Sequence, residues 1–381
     1  MRGHHGAMLG RAGVQVLALC DVEAVRLERE RARNNEHYAA QSGAASYNGC
    51  KAFKDFRELV ALADIDAVMV ATPDHWHALA SVEALRAGKD VYCEKPMAHT
   101  VREGQAMRDT TRRFGRVFQT GSQQRSSEEF RRACEIVRNG RIGRVHTVHV
   151  NVSGPPVECR LPGQPVPEGL DWDFWLGPAP ERPYNADIAP GVDFDGWPNW
   201  RAYSDYGGGG MADWGAHHFD IAQWGLGMDE SGPIDLLPPD PDNGVKYLTY
   251  IYENGTVMYH GGATPERAGV EFIGTEGRVM VNRGWFETDP VSLKDEPLGR
   301  DDVHLYKSED HHEDWLNAIK TRQRPICDVA IGQSSATICN IGNIAYALKR
   351  PLKWDPKREE FRDDAEANRL LARPMRGTWT I

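Results

Sequence analysis

Short apolar segments alternate with amphipathic segments along the first third of the chain. Four apolar segments predict β-strands: Val14–Leu19, Asp66–Ala71, Asp90–Cys93 and Arg116–Thr120. The stretches near residues 23–40, 77–87 and 101–114 predict helices, and the last two end at glycines. Strands that alternate with helices pair in parallel, so residues 1–120 are predicted to form a doubly wound α/β domain.

After Thr120 the pattern is that of a different domain. Residues 145–152 alternate strictly between apolar and polar positions, as a half-buried strand does. Further strands are predicted at 247–252, 256–260, 270–273 and 278–281, helices at 126–139, 310–320 and 331–348, and a long ordered loop at 155–199. Residues 121–354 are therefore predicted to be an α+β domain with a largely antiparallel open sheet. Residues 355–381 are predicted to be a charged surface extension.

The overall composition argues against several classes of partner. The 381 residues carry a net charge of -10, whereas nucleic acids and anionic membranes favour dense Lys and Arg. The seven cysteines form no C-x-x-C pair, which predicts reduced thiols in a cytoplasmic protein. No apolar run reaches the roughly 18 residues of a membrane span. An export signal upstream of Met1 would change the predicted location.

Two segments carry residues suited to proton transfer. Glu94-Lys95-Pro96 follows a predicted strand, and doubly wound sheets bind ligands at the carboxyl ends of their strands. Asp213 and His217 lie four residues apart after a run of four glycines, which predicts one shared helix face and a close approach of the backbone to a ligand. Each segment alone equally fits a solvated lysine or a surface pair. Together they predict that His217 takes a hydroxyl proton while Lys95 and Asp213 orient and polarise the hydroxyl.

In combination these motifs resemble the Gfo/Idh/MocA family, which includes inositol dehydrogenase and glucose–fructose oxidoreductase. Ala71-Thr-Pro-Asp-His-Trp-His77 is similar to the family's loop after the fourth strand of its first domain. Gly121-Ser-Gln-Gln-Arg125 is similar to the stretch that opens its second domain, and Trp172-Asp-Phe-Trp-Leu-Gly-Pro178 to a sugar-acting branch. The resemblance covers about residues 3–354.

The resemblance implies a Rossmann-type domain that binds a nicotinamide cofactor, and a substrate domain whose open sheet supports a homo-oligomer, a dimer or a tetramer. Lys95, Asp213 and His217 match the catalytic positions. The cofactor-binding positions are Gly3, Asp21, Thr72, Pro73, His75, His77, Glu94 and Lys95. The substrate-binding candidates are Trp76, Arg125, Arg201, Tyr203 and His217. Asp21 predicts NAD rather than NADP, because a carboxylate there repels a 2′-phosphate.

The beginning of the sequence departs from the family pattern. The family begins with an apolar strand and a G-x-G-x-x-G turn, whereas this sequence begins Met1-Arg-Gly-His-His-Gly6, so that Gly3 matches only the last glycine of the turn. The first strand of the Rossmann-type sheet is therefore expected to be missing. Either the start codon is assigned too far downstream, which we favour, or the chain is truncated and binds its cofactor poorly.

Three classes of function follow. The leading prediction is an NAD-dependent dehydrogenase that oxidises a secondary ring hydroxyl of a sugar, a glycoside (at C3 in the branch it resembles) or an inositol. The second is a glycoside-cleaving enzyme that works by transient oxidation and elimination, and the third is a non-catalytic relative.

No metal is predicted, although His217 would be the first place to look for one. Four tryptophans, Trp172, Trp175, Trp197 and Trp200, are candidates to stack on a sugar ring or to pack.

Overall fold

The computed structural model describes residues 6–267 and 269–381. Five parallel strands form the first domain: β1 (Ala18–Cys20), β2 (Lys51–Phe53), β3 (Ala67–Val70), β4 (Asp90–Cys93) and β5 (Phe118–Thr120). Four helices follow these strands: α1 (Ala24–Ser42), α2 (Phe56–Val60), α3 (Asp74–Arg86) and α4 (Val101–Phe114). The predicted doubly wound parallel architecture is confirmed.

The parallel strands of the described residues form two separate sheets, β1-β2 and β3-β4-β5. In the strand order 3-2-1-4-5-6 of a Rossmann sheet, these are the portions on either side of the position of the first strand. Beside β3 and β4, apolar side chains from residues 7–16 join Tyr92 and Trp315 in one buried cluster. The break in the sheet therefore lies where the sequence predicts a missing strand.

The second domain is built on a nine-stranded sheet in the order β12-β11-β10-β6-β9-β8-β7-β13-β14. Its strands are β6 (Val145–Val150), β7 (Asp235–Leu237), β8 (Thr249–Ile251), β9 (Val257–His260), β10 (Val270–Gly274), β11 (Arg278–Asn282), β12 (Trp285–Asp289), β13 (Leu352–Asp355) and β14 (Glu360–Phe361). All neighbours are antiparallel except β6 and β9. This confirms the predicted, largely antiparallel sheet.

Several helices of the second domain pack on this sheet, and others connect it to the first domain. They are α5 (Glu128–Arg138), α6 (Trp172–Leu176), α7 (Gly209–Asp213), α8 (Gly215–Leu226), α9 (His311–Thr321), α10 (Val329–Leu348) and α11 (Ala365–Arg369). Helix α10 packs on α8 in the second domain and on α4 in the first. Gly104 of α4 allows the contact with α4, because a Cβ there would overlap the Gln333 side chain, and Gly332 allows α10 to approach Thr120 at the end of β5 in the same way. One helix therefore belongs to the packing of both domains.

Residues 155–201 have little regular structure but a core of their own. Trp172, Trp175, Tyr184, Trp200 and Tyr206 are buried in one cluster, with the Trp172 and Trp175 rings stacked 4.8 Å apart. Aromatic packing of this kind stabilises a segment that lacks backbone ladders. The predicted ordered loop thus contains the short helix α6 and is held by its tryptophans.

The prediction that residues 355–381 form a surface extension is wrong for much of their length. Phe361 and Leu371 are buried in the core of the second domain. Arg373 pairs with Glu103 of α4 and donates to the carbonyl of His75, while the Trp379 ring lies 4.9 Å from that of Trp76. Two of its cations, Arg373 and Arg376, pair with distant carboxylates, so charge alone did not distinguish the segment from a solvated tail.

Candidate active site

Lys95 lies in the loop that follows β4, at the carboxyl end of the parallel strands. Its Nζ donates to Asp213 Oδ1 at 2.6 Å and to the Asp213 carbonyl at 2.8 Å. The two side chains are only 14% and 20% exposed. An ammonium group has three N–H donors, so one remains for a further acceptor. The two motifs that the sequence places 118 residues apart therefore meet in one ion pair.

Asp213 and His217 do not share one continuous helix, contrary to prediction. Asp213 is the last residue of α7, Trp214 is the junction, and His217 lies in the first turn of α8. The glycine run also has another role than the predicted one. Gly209 has a φ of +68°, and a Cβ there would overlap the backbone of Pro156, while Gly207 lies against the backbone of Arg201. These glycines allow the chain to pack closely on itself.

The imidazole of His217 is buried and makes no hydrogen bond to any other residue that the structure describes. Its Nδ1 is completely enclosed without a partner. Burial lowers the pKa of His217 well below its ordinary value, and the charges of Lys95 and then Arg283 lower it further. The ring is therefore neutral near pH 7 and has a nitrogen lone pair to accept a proton.

Asp74 and Arg201 complete the polar surroundings of Asp213. Arg201 Nε lies 3.5 Å from Asp213 Oδ1. Asp74 is the first residue of α3 and is 3% exposed. Burial and the Asp213 carboxylate raise its pKa well above the ordinary value, against the opposing charges of Lys95 and Arg201. The sequence reasoning missed Asp74, although it stands inside the motif 71–77 and directly after Pro73.

A cleft of about 780 Å³ runs from the carboxyl end of β1 to Arg201. One wall carries Asp21, Thr72 and Pro73 from the first domain, and residues 188–201 form part of the other. The volume falls within the range of small-molecule and cofactor sites. Among the described residues, Asp21 Oδ2 and Thr72 Oγ1 are buried without a hydrogen-bond partner. These are two of the predicted cofactor-binding positions.

His77 connects two loops and does not line the cleft. Its Nδ1 lies 2.8 Å from the carbonyl of Pro96 and its Nε2 2.9 Å from that of Thr72. Burial lowers its pKa to about 4, so the ring is neutral and donates to one of these carbonyls at a time. His77 therefore fixes the loop after β3 to the loop after β4, next to Lys95.

His75 and Trp76 attach the start of α3 to the second domain. His75 Nε2 and Trp76 Nε1 both lie within 3.0 Å of the carbonyl of Trp175. They are 1% and 5% exposed, and only Trp76 borders the cleft. The prediction that His75 faces the cofactor is contradicted, because its ring is enclosed by Trp175 and Tyr206.

Arg125 does not reach a substrate, and this prediction is wrong. Its guanidinium is 1% exposed and donates to both carboxylate oxygens of Asp220 and of Asp229. Tyr203 donates its hydroxyl to Asp187 at 3.0 Å and does not border the cleft, so its predicted substrate contact has no support from the geometry.

Glu94 and Gly3 are the remaining predicted cofactor-binding positions. The Glu94 carboxylate is buried, which raises its pKa, and it accepts a hydrogen bond from Gln123 at 3.0 Å. Glu94 thus connects the loop after β4 with the segment after β5. Gly3 lies outside the described residues.

Comparisons with known proteins assign both domains to one family. Residues 3–122 match the model of an oxidoreductase family with an NAD-binding Rossmann fold, and residues 156–381 match the C-terminal alpha/beta domain of the same family. The chain belongs to the Gfo/Idh/MocA oxidoreductase family. It is 24% identical over 324 residues to myo-inositol 2-dehydrogenase of Thermotoga maritima, covering 80% of this chain and 82% of that one.

Solved Gfo/Idh/MocA-like structures share the fold across both domains. Aldose-aldose oxidoreductase from Caulobacter crescentus, complexed with glycerol, superposes with a TM-score of 0.58 at 20% identity, covering 88% of this chain and 91% of that one. The WlbA dehydrogenase from Bordetella pertussis, in complex with NADH and UDP-GlcNAcA, gives a TM-score of 0.59 at 17% identity, covering 93% and 95%. At these identities the likeness concerns the fold.

The residues of this Gfo/Idh/MocA protein fit NAD, the predicted cofactor, which the family's NAD-binding domain confirms. A ribose hydroxyl donating to Asp21 would satisfy the unpartnered Oδ2, while Oδ1 already accepts from the Glu23 amide at 3.0 Å. Burial raises the pKa of Asp21, and Arg26, 3.5 Å away, lowers it. Arg26 thus helps to keep the carboxylate charged.

Clusters of metal-ligating side chains and membrane-spanning helices are both absent from the described part of the chain. No group of three or more His, Cys, Asp or Glu side chains there is arranged to hold a metal ion. Within the same residues, every helix is too short or too polar to cross a bilayer.

Proposed function

We propose that this protein oxidises a secondary ring hydroxyl of a sugar, a glycoside or an inositol with NAD. The observation that carries the proposal is the Lys95–Asp213 ion pair beside the neutral, unpartnered imidazole of His217. The ion pair lies next to Arg201. Arg201 lines one end of the cleft, and Asp21 lines the other end. The names of the relatives support a polyol or sugar as substrate.

The chain's own residues can orient the hydroxyl and remove its proton. The free N–H of Lys95 donates to the hydroxyl oxygen, and Asp213 holds the ammonium in place through its other two donors. A positive charge there stabilises the developing alkoxide. His217 accepts the hydroxyl proton on a ring nitrogen. NAD, when bound, supplies the acceptor for the hydride that leaves the same carbon.

The direct test measures NADH formation by the purified full chain with NAD and each of three compounds: myo-inositol, glucose and an alkyl glucoside. We expect at least one to reduce NAD stoichiometrically, and Lys95→Ala to lower kcat by ~10²–10⁴-fold. Aglycone release without net NADH would instead support the oxidation–elimination class. If no compound reacts although NAD binds and the protein is folded, the proposed substrate class is wrong.

The predicted homo-oligomer remains part of the proposal. The nine-stranded sheet ends in β12 and β14, and strand edges of this kind can pair with another copy. Light scattering at several protein concentrations tests for the expected dimer or tetramer, and a monomer throughout would refute it.

A further inference from the structure

The four candidate sugar-stacking tryptophans differ sharply in exposure. Trp172, Trp175 and Trp200 are 9%, 8% and 7% exposed and belong to the aromatic core of residues 155–201. Trp197 is 77% exposed, although it borders the same cleft. Single exposed apolar residues are common at protein surfaces, so the exposure of Trp197 gains meaning from its position at the cleft and its contact with Arg201.

Arg201 connects this indole to the reactive end of the cleft. Its guanidinium carbon lies 4.8 Å from the centre of the Trp197 ring and 4.2 Å from that of Trp200. Its Nε has no hydrogen-bond partner among the described residues and lies 3.5 Å from Asp213 Oδ1. A buried N–H without an acceptor is costly, and a substrate hydroxyl could satisfy it.

The course of the segment 191–201 places Trp197 away from the adenosine end. Arg29 of α1, close to Asp21, donates to the carbonyl of Val192 at 3.3 Å and lies 3.7 Å from Asp193. The segment therefore starts beside the Asp21 end and reaches Arg201 at the Lys95 end. This position favours a substrate contact over stacking on the adenine of a dinucleotide.

We propose that Trp197 and Arg201 form a second subsite that binds the flat face of a ring attached to the sugar being oxidised. The substrate is then a glycoside or a disaccharide rather than a free monosaccharide or inositol. The C–H face of a pyranose, or an aromatic aglycone, packs on the indole, and Arg201 donates to a neighbouring oxygen. Arg201 contacts both the Trp197 indole and Asp213, so the proposed subsite adjoins the ion pair at which the first ring is oxidised.

The inference rests on the proposed function and is tested by comparing one-ring with two-ring substrates. Trp197→Ala and Trp197→Phe are assayed with glucose, with cellobiose and with 4-nitrophenyl β-glucoside. We expect Trp197→Ala to lower kcat/KM roughly tenfold for the two-ring compounds and little for glucose, with Trp197→Phe close to the parent protein. Val291→Ala, at a position 76% exposed and outside the cleft, is the matched control.

Each other result overturns the subsite. An equal loss with glucose and cellobiose assigns Trp197 to general folding, weakened NAD binding assigns it to the cofactor, and a changed oligomeric state assigns it to a second copy. Calorimetry with cellobiose and 4-nitrophenyl β-glucoside in the presence of NADH measures binding without turnover. It therefore distinguishes a failure of the subsite from a failure of the proposed function. If no compound reduces NAD, binding that Trp197→Ala weakens still supports the subsite, and absence of binding to the parent protein refutes it.

Discussion

Two groups of charged residues, one around Arg125 and one around Lys95, look alike in sequence but differ in their hydrogen bonding. Around Arg125, the guanidinium meets four carboxylate oxygens of Asp220 and Asp229, and Ser335 donates to Asp220 as well. Around Lys95, one ammonium donor, the Nδ1 of His217 and the Nε of Arg201 have no hydrogen-bond partner in the described structure.

The difference separates a structural role from a chemical one. A buried ion pair with all of its groups satisfied has nothing left with which to bind a ligand. A buried polar group without a partner costs stability unless a ligand completes it, and such costs are tolerated at functional sites. The Arg125 group should therefore govern stability, and the Lys95 group activity.

The largest expected effect is on turnover. His217→Ala, or His217→Gln where volume must be kept, should lower kcat by ~10²–10⁴-fold with little change in NAD affinity or Tm. His218→Gln is the control, since that neighbour stacks on Trp214 at 6.0 Å. Steady-state kinetics and cofactor titration measure both. Full activity in His217→Ala together with loss in His218→Gln would mean that the proton acceptor is misassigned.

The second effect is on stability. Arg125→Met leaves Asp220 and Asp229 buried without their cation and should reduce the free energy of unfolding by about 3–5 kcal/mol. Arg160→Met, at an exposed pair with Glu158, should show no measurable change. Denaturant titration gives both values. A normal stability of Arg125→Met with a raised KM would restore Arg125 to the substrate site.

The third effect concerns the cofactor. NAD should bind at least tenfold more tightly than NADP, because the Asp21 carboxylate repels a 2′-phosphate. Asp21→Ser should reduce this preference, since Arg26 and Arg29 then face the phosphate without the carboxylate between them. Fluorescence titration with both cofactors decides the point. Equal affinities in the parent protein would contradict the role of Asp21.

The smallest effect is on the pH dependence of stability. Burial lowers the pKa of His77, His218 and His311 to about 4, below the value near 6.5 expected when unfolded. The unfolded chain therefore binds protons first as the pH falls, so stability is retained above pH 6.5 and lost on approaching pH 4.

Each such histidine should lower the free energy of unfolding by about 1 kcal/mol between pH 6.5 and 5.5. His218→Gln should accordingly flatten the pH dependence of Tm, and an unchanged slope would show that His218 becomes protonated in the folded protein.

The regular pattern of the chain predicts most of the fold. Strands β3 and β4 and the helix after each follow from apolar runs bounded by Pro and Gly, and the change of pattern near residue 120 marks the second domain. The strands β2, β7, β12, β13 and β14 were missed. They have two to five residues each, too few for a clear period, and each is stabilised by backbone pairing with a neighbouring strand.

Some residues of the candidate site were predicted correctly, and others were misassigned or missed. Lys95 and Asp213 meet as their motifs suggest, because both motifs end elements whose termini the fold brings together. Arg125 was misassigned because its two carboxylate partners, 95 and 104 residues away, leave no local signal. Asp74 was missed for a related reason, since its importance comes from the burial and charges around it.

The return of the C-terminal segment to the first domain limits how this chain can be recombined with its relatives. A chimera that exchanges the first domain at Thr120 would keep Arg373 and Trp379 but replace Glu103 and Trp76, the residues they contact. The foreign first domain would then receive a guanidinium without a carboxylate and an indole without its aromatic neighbour. Residues 373–381 therefore have to be inherited together with the first domain, although they are encoded at the other end of the sequence.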